Sequence, residues 1–267
     1  CAGKSLKEIL QAGEWKSPAF LQYLDIETLE HDLVVELCIK QAAGRVPVIA
    51  GAGSNSTAEA VRLARHAAEA GASAVLIVSP YYNKPTQAGL YAHFAAVAKA
   101  VDVPVIVYDI PGRSIVRVND NTLAKLVSDY ANISGIKDAT ADLARPTILH
   151  NMLGNTFTQL SGEDATALPY LAAGGHGCIS VTANVAPKLC SELHSAWQEK
   201  NISKAQEINL KLSSLHNALF VESSPGPVKY AASLLGLCSN NTRLPLSEIK
   251  DDTKKLVKSC MEELKLL

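Results

Sequence analysis

The sequence has little of what marks a chain for a membrane, a nucleic acid or a metal. No apolar run approaches the roughly 20 residues that span a bilayer. With a formal net charge of −1 there is no basic stripe for nucleic acid and no acidic tail to favour disorder. The seven histidines show no HxH or HExxH spacing, so no protein-bound metal is expected, and no cofactor either. The six cysteines stand at 1, 38, 178, 190, 238 and 260 without a CxxC pair. In a chain of 267 residues they read as reduced, mostly buried thiols of a cytoplasmic protein. No glycine-rich turn follows a first strand with an acidic residue about 20 positions on, which argues against a dinucleotide. Gly51-Ala-Gly-Ser-Asn55 is rich in glycine but lacks the P-loop lysine. Residues 1–12 have no uninterrupted apolar stretch, so no signal peptide is expected. The chain begins at Cys1 rather than Met, which leaves room for a missing or processed N-terminus.

What is present is regular. Apolar residues make up 48% and charged residues 19%, the balance of an ordinary globular protein. Helical spacing over 27–43 places Leu29, Leu33, Val34, Leu37 and Cys38 toward a core, and Gly44 ends that helix. Apolar runs then predict parallel strands near 46, 74, 103, 133, 157 and 178, the first of them buried. Helices are predicted between them: one opened by the capping box Ser56-Thr-Ala-Glu59, one over 87–100 with Leu90, Phe94 and Val97 inward, and others at 119–130, 144–153 and 164–173. From Pro187 onward the pattern is helical throughout, near 187–200, 202–221, 225–236 and 247–265. A strand-plus-helix unit of 20–30 residues favours a (β/α)8 barrel or a doubly wound sheet. Two more strands would have to come from residues 1–20, where the strand signal is weak, so a barrel is expected to be incomplete at its start.

The strand Ile133-Ser-Gly-Ile-Lys-Asp-Ala-Thr140 carries a lysine near its C-terminal end. Desolvation favours the free amine, which can attack a carbonyl; the plainer reading of Lys137 is a side chain that reaches back to solvent. Polar residues gather at the ends of the other strands: Pro80-Tyr-Tyr-Asn-Lys-Pro85, Tyr108-Asp-Ile-Pro-Gly-Arg-Ser114, Ser161-Gly-Glu-Asp164 and Val181-Thr-Ala-Asn184. Each has a structural reading too, the tyrosines as core residues with solvated hydroxyls, Arg113 as a surface ion pair, Asn83 and Asn184 as turn residues. Five such ends around one strand lysine point to an active site at the strand C-termini.

Val78-Ser-Pro-Tyr-Tyr-Asn-Lys-Pro85, Tyr108-Asp-Ile-Pro-Gly-Arg-Ser114 and Gly135-Ile-Lys-Asp-Ala-Thr140 resemble the dihydrodipicolinate synthases, of the N-acetylneuraminate lyase superfamily of class I aldolases. The resemblance covers about residues 30–240. It implies a (β/α)8 barrel over 1–185 with a helical extension over 186–267, and a homotetramer built as a dimer of dimers. It implies a cytoplasmic lyase that condenses pyruvate with L-aspartate 4-semialdehyde in lysine and diaminopimelate biosynthesis. Lys137 takes the place of the imine-forming lysine, Tyr108 of the proton-relaying tyrosine, and Tyr82 of the tyrosine that completes the relay in a neighbouring subunit. Arg113 corresponds to the arginine for the aldehyde's carboxylate. Gly162 and Ile179 lie where backbone groups line the pyruvate pocket. Asn55, Glu59, Tyr81 and His31 match a lysine feedback site, although Thr28 stands where many relatives have a second histidine.

The start of the chain departs from that pattern. The family's Gly-Thr-Thr-Gly-Glu run, whose second threonine links the two tyrosines, has only Gly13-Glu-Trp-Lys-Ser-Pro18 in its region. Residues 1–30 therefore read as atypical or truncated; Ser17 has a hydroxyl in the surviving Ser-Pro, but the inserted Trp15-Lys16 leaves its place in the relay open. Two alternatives stay open at this stage: another pyruvate-dependent aldolase, and a degenerate homologue that binds keto acids with weak turnover.

Overall fold

The computed structural model describes residues 26–267. The readings that fall on 1–25 lie outside the described residues. Parallel strands alternate with helices, and the chain divides into two units, the first made of residues up to Tyr108 with Arg113–Ser134, the second of Asp109–Gly112 with Gly135–Leu267. The division passes through the third and fourth strands.

In the first unit the elements are α1 (Ile26–Ala42), β1 (Ile49–Gly51), α2 (Thr57–Glu69), β2 (Ala74–Val78), α3 (Gln87–Ala98), β3 (Val105–Asp109), the short α4 (Pro111–Ser114) and α5 (Asp120–Asp129). The pairing is parallel, from Ile49 opposite Ala74 to Val78 opposite Tyr108. Ser56 caps α2, its hydroxyl accepting from the Glu59 amide, and Thr86 does the same for α3 from Gly89. Leu90, Phe94 and Val97 are fully buried, as their spacing predicts, beside Val75, Ile77, Val105 and Val107. Gly53 is fixed by space: a Cβ there would come within 2.6 Å of the Val78 amide nitrogen.

Two expectations fail in this unit. On α1, Val35 is buried at 7% exposure, whereas Val34, Leu37 and Cys38 face outward. Polar and apolar residues are mixed all round the helix, so its periodicity selects no face and packing against α2 decides. The first strand is shorter than the apolar run and is not buried throughout. Val46 is 61% exposed and Ile49 39%.

The second unit contains β4 (Ile133–Asp138), α6 (Arg145–Leu153), β5 (Thr158–Ser161), α7 (Ala167–Ala172), β6 (Gly177–Cys178), a 3-10 turn over Thr182–Asn184, and the helices α8 (Pro187–Gln198), α9 (Ile202–Ala218), α10 (Gly226–Leu234) and α11 (Asp251–Glu263). β4 pairs with β5, and β5 with β6, in parallel register, with Lys137 opposite Leu160 and Ser161 opposite Cys178. The last strand stops at Cys178, short of the 178–182 run that the sequence predicts as strand, and Asp164 captures the amides of Val181 and Thr182 where the chain turns. The four C-terminal helices share a core around Leu193, Leu212, Leu215, Ala231, Val257 and Met261.

The five described cysteines are free, yet only Cys260 is buried. Cys38 sits on the outward face of α1 and Cys238 is exposed, so the expectation of mostly buried thiols is corrected. Among the described residues no helix is long and apolar enough to cross a membrane.

Candidate active site

Lys137 is the fifth residue of β4 and is half-buried. Burial pushes its amine below the ordinary lysine range, against the opposing pull of Cys178, Glu163 and Asp164 nearby. The net direction is toward the nucleophilic free amine at lower pH than an exposed lysine allows.

The backbone around Lys137 is tight. The Gly162 amide donates to the Asp138 carbonyl at 2.7 Å, and the Ile179 amide donates to the Ser161 carbonyl at 2.9 Å. A Cβ on Gly162 would lie 2.8 Å from Ala139 Cβ and 3.2 Å from Lys137 Cε. Gly162, just past β5, thus lies beside the lysine's own strand, and Ile179, just past β6, lies one strand further on.

Asp164 organises the next layer. Its carboxylate accepts from the Ser180 hydroxyl, from the Val181 amide at 2.8 Å and from the Thr182 amide at 3.2 Å. Thr182 Oγ1 in turn meets His216 Nδ1 of α9 at 2.7 Å. Burial keeps His216 below the usual histidine range despite Asp164, and raises the Cys178 thiol to about 12. Cys178 is therefore a protonated, unreactive neighbour of the lysine.

The first unit holds the tyrosines. Tyr108 lies at the end of β3, half-buried, and its carbonyl accepts from the Ser79 amide at 2.9 Å. Tyr82 is 85% exposed and sits at φ +70°, with the Asn83 amide donating back to the Tyr81 carbonyl at 2.9 Å. That tight three-residue turn is strained for a residue with a Cβ. Arg113 is exposed on α4, a helix the sequence does not foretell. Asn55 accepts through its carbonyl from Asn83 Nδ2 at 3.1 Å, Glu59 accepts from the Ser54 hydroxyl, and Tyr81 is 43% exposed. His31 Nε2 meets the Gly51 carbonyl at 2.7 Å. These four residues fall in the first unit.

Sequence reasoning passed over two residues. His216 comes from the distant α9. Arg145 is fully buried at the start of α6, 2.7 Å from Asp109 and 3.5 Å from Asp138. One signal for it was available: a cation in the first turn opposes the helix dipole and needs another partner. Among the described residues no group of three or more histidines, cysteines or acids is placed to hold a metal.

The Dihydrodipicolinate synthetase family matches residues 24–264. The 4-hydroxy-tetrahydrodipicolinate synthase of Gluconacetobacter diazotrophicus is 55% identical over 239 residues, 89% of this chain and 80% of that protein. The structure of dihydrodipicolinate synthase from Aquifex aeolicus superposes with a TM-score of 0.88 at 43% identity, over 92% of this chain and 83% of that one. The chloride-inhibited enzyme from Acinetobacter baumannii, complexed with pyruvate, superposes at 0.86 with 41% identity, over 92% and 84%. The alternation of parallel strands and helices is that of these barrel enzymes. With the family pattern running through all but the ends of the described sequence, the chain belongs to the dihydrodipicolinate synthetase family.

Proposed function

We propose that this chain is a lyase, a 4-hydroxy-tetrahydrodipicolinate synthase, that joins pyruvate to L-aspartate 4-semialdehyde through an imine on Lys137. The observation that carries the proposal is the half-buried strand lysine held below its ordinary pKa beside Gly162 and Cys178. A neutral amine attacks the keto carbon of pyruvate, and loss of water leaves the imine. The imine is an electron sink, so the methyl carbon gives up a proton and becomes the nucleophile for the aldehyde. That proton requires a positioned acid or base, the role we give to Tyr108 with Tyr82. The aldehyde's carboxylate suits the guanidinium of Arg113, which can grip it with two parallel hydrogen bonds. The pyruvate complex of the Acinetobacter baumannii enzyme supports the choice of keto acid.

The same reading makes the protein a cytoplasmic homotetramer in which Tyr82 works across a subunit boundary, consistent with its 85% exposure. It makes Asn55, Glu59, Tyr81 and His31 a site for free lysine. The decisive experiment is reduction with borohydride in the presence of pyruvate. A stable adduct on Lys137 is expected, and none in Lys137→Arg, because a guanidinium does not supply the free amine. An adduct on another lysine refutes the assignment. Faster turnover with a sugar aldehyde than with aspartate semialdehyde refutes the choice of second substrate.

A further inference from the structure

We infer that Arg145 is a positioning residue for the imine lysine, acting through Asp138, and this rests on the assignment of Lys137 above. Arg145 is fully buried at the start of α6. Its Nη1 lies 2.7 Å from Asp109 Oδ2 and 3.5 Å from Asp138 Oδ2. Asp138 directly follows Lys137, and Asp109 directly follows Tyr108. One guanidinium therefore hydrogen-bonds the residue next to Tyr108 and forms an ion pair with the residue next to Lys137, whose Oδ2 accepts no hydrogen bond.

The grip on Asp138 is two-sided. Its Oδ2 faces Arg145, and its Oδ1 accepts from the Thr140 amide at 2.9 Å and the Thr140 hydroxyl at 2.7 Å. The Asp138 carbonyl accepts from Gly162, and the Ala139 amide donates to the Asp109 carbonyl at 2.9 Å. The bracing continues along the loop. Thr140 Oγ1 accepts from the Asp142 amide at 3.3 Å, and Asp142 Oδ1 accepts from Ala144 at 3.1 Å. Successive side chains on a strand point to opposite faces, so a fixed Asp138 fixes the direction in which Lys137 leaves the strand. A buried charge trio is a poor source of stability, since apolar side chains of similar size often do as well. Its use here is geometric. It sets the end of β4, where a displacement of about 1 Å in the amine can cost about 100-fold in rate.

Two variants test this without unbalancing the interior. Asp138→Asn keeps the shape and leaves Arg145 paired with Asp109. Arg145→Lys keeps the buried cation but replaces the rigid planar guanidinium with a compact ammonium on a flexible stem, which fixes the two carboxylates less firmly. Arg145→Met is avoided because it would strand two buried carboxylates. In the full-length protein, the rate of borohydride-trapped adduct formation with pyruvate is compared with the rate of Lys137 acetylation by acetic anhydride, both read by peptide mass spectrometry. The expected result is trapping slowed about 10- to 100-fold in both variants, with acetylation within about twofold of the unaltered chain, because the amine persists and only its aim is lost. Unchanged trapping with a lowered melting temperature overturns the inference and makes the trio merely structural. Faster acetylation alongside slower trapping also overturns it, since general loosening then explains the loss. Failure of the unaltered chain to trap pyruvate at all refutes the aldolase reading, and this role with it.

Discussion

Replacing Gly162 with alanine tests the site at its tightest point. The added methyl would meet Ala139 Cβ at 2.8 Å, Lys137 Cε at 3.2 Å and the Asp138 carbonyl oxygen at 3.3 Å. Carbon atoms in contact prefer about 3.5–4.0 Å, so the Ala139 contact alone must open by about 0.7 Å. Ala139 is buried on the strand's continuation and the Asp138 carbonyl already receives the Gly162 amide, so neither yields cheaply. The flexible neighbour is the lysine, and its stem is what moves. Overpacking of this kind costs about 1–3 kcal/mol. At about 2–4 °C per kcal/mol for a chain near this size, the melting temperature falls by about 2–12 °C. Pyruvate trapping should fall further than stability does, because the displaced atom is next to the Lys137 amine proposed to react. Differential scanning calorimetry and borohydride trapping, each run beside Gly112→Ala, make the comparison. A Cβ at Gly112 meets nothing within 4 Å, so that variant should leave both unchanged. If Gly162→Ala melts and traps like the unaltered chain, the packing around Lys137 is looser than these distances state, and the account of how the amine is held is wrong.

Three further outcomes are expected. Arg113→Ala should impair use of the aldehyde by about 2–5 kcal/mol while pyruvate trapping stays nearly intact; an equal loss in pyruvate binding would place Arg113 elsewhere. Burial depresses His93 from 6.5 to about 4, with Nδ1 on Thr57 Oγ1 at 2.9 Å. Its folded pKa lies below its unfolded one, so its contribution is complete above about pH 6.5 and is lost as the pH falls toward 4, by about 3 kcal/mol at most. His93→Gln should flatten the melting temperature between pH 7 and 4.5, and an identical acid loss in that variant would clear His93 of the effect. Free lysine should bind through Asn55, Glu59, Tyr81 and His31, and calorimetry showing no heat at millimolar lysine would count against that site.

The alternation of strands and helices was legible in the sequence because β2 and β3 are short apolar runs, α2 and α3 are capped, and α5 carries one apolar stripe. Ser56 and Leu90 are cases in point: the one caps α2 and the other is fully buried, as local pattern requires. Lys137 was legible for a similar reason, since a lone cation in an apolar strand end is a local oddity. What local pattern could not decide was anything set by a partner far along the chain. Val35 rather than Val34 faces inward because α1 mixes polar and apolar residues all round and α2 chooses the side. Val46 belongs to an apolar run yet lies outside β1, because the pairing with β2 begins only at Ile49. Cys38 and Cys178 are the same residue type, but only the tertiary structure leaves one exposed and sets the other, its thiol raised to about 12, beside the lysine. Arg145 shows the limit most clearly. From sequence it is one arginine before a proline. Burial with Asp109 and Asp138, at sequence separations of 36 and 7, makes it the joint that holds the end of β4. Sequence determined which residues are candidates for the chemistry, because residue type is local; the fold decided which way they point, because direction depends on what packs behind them.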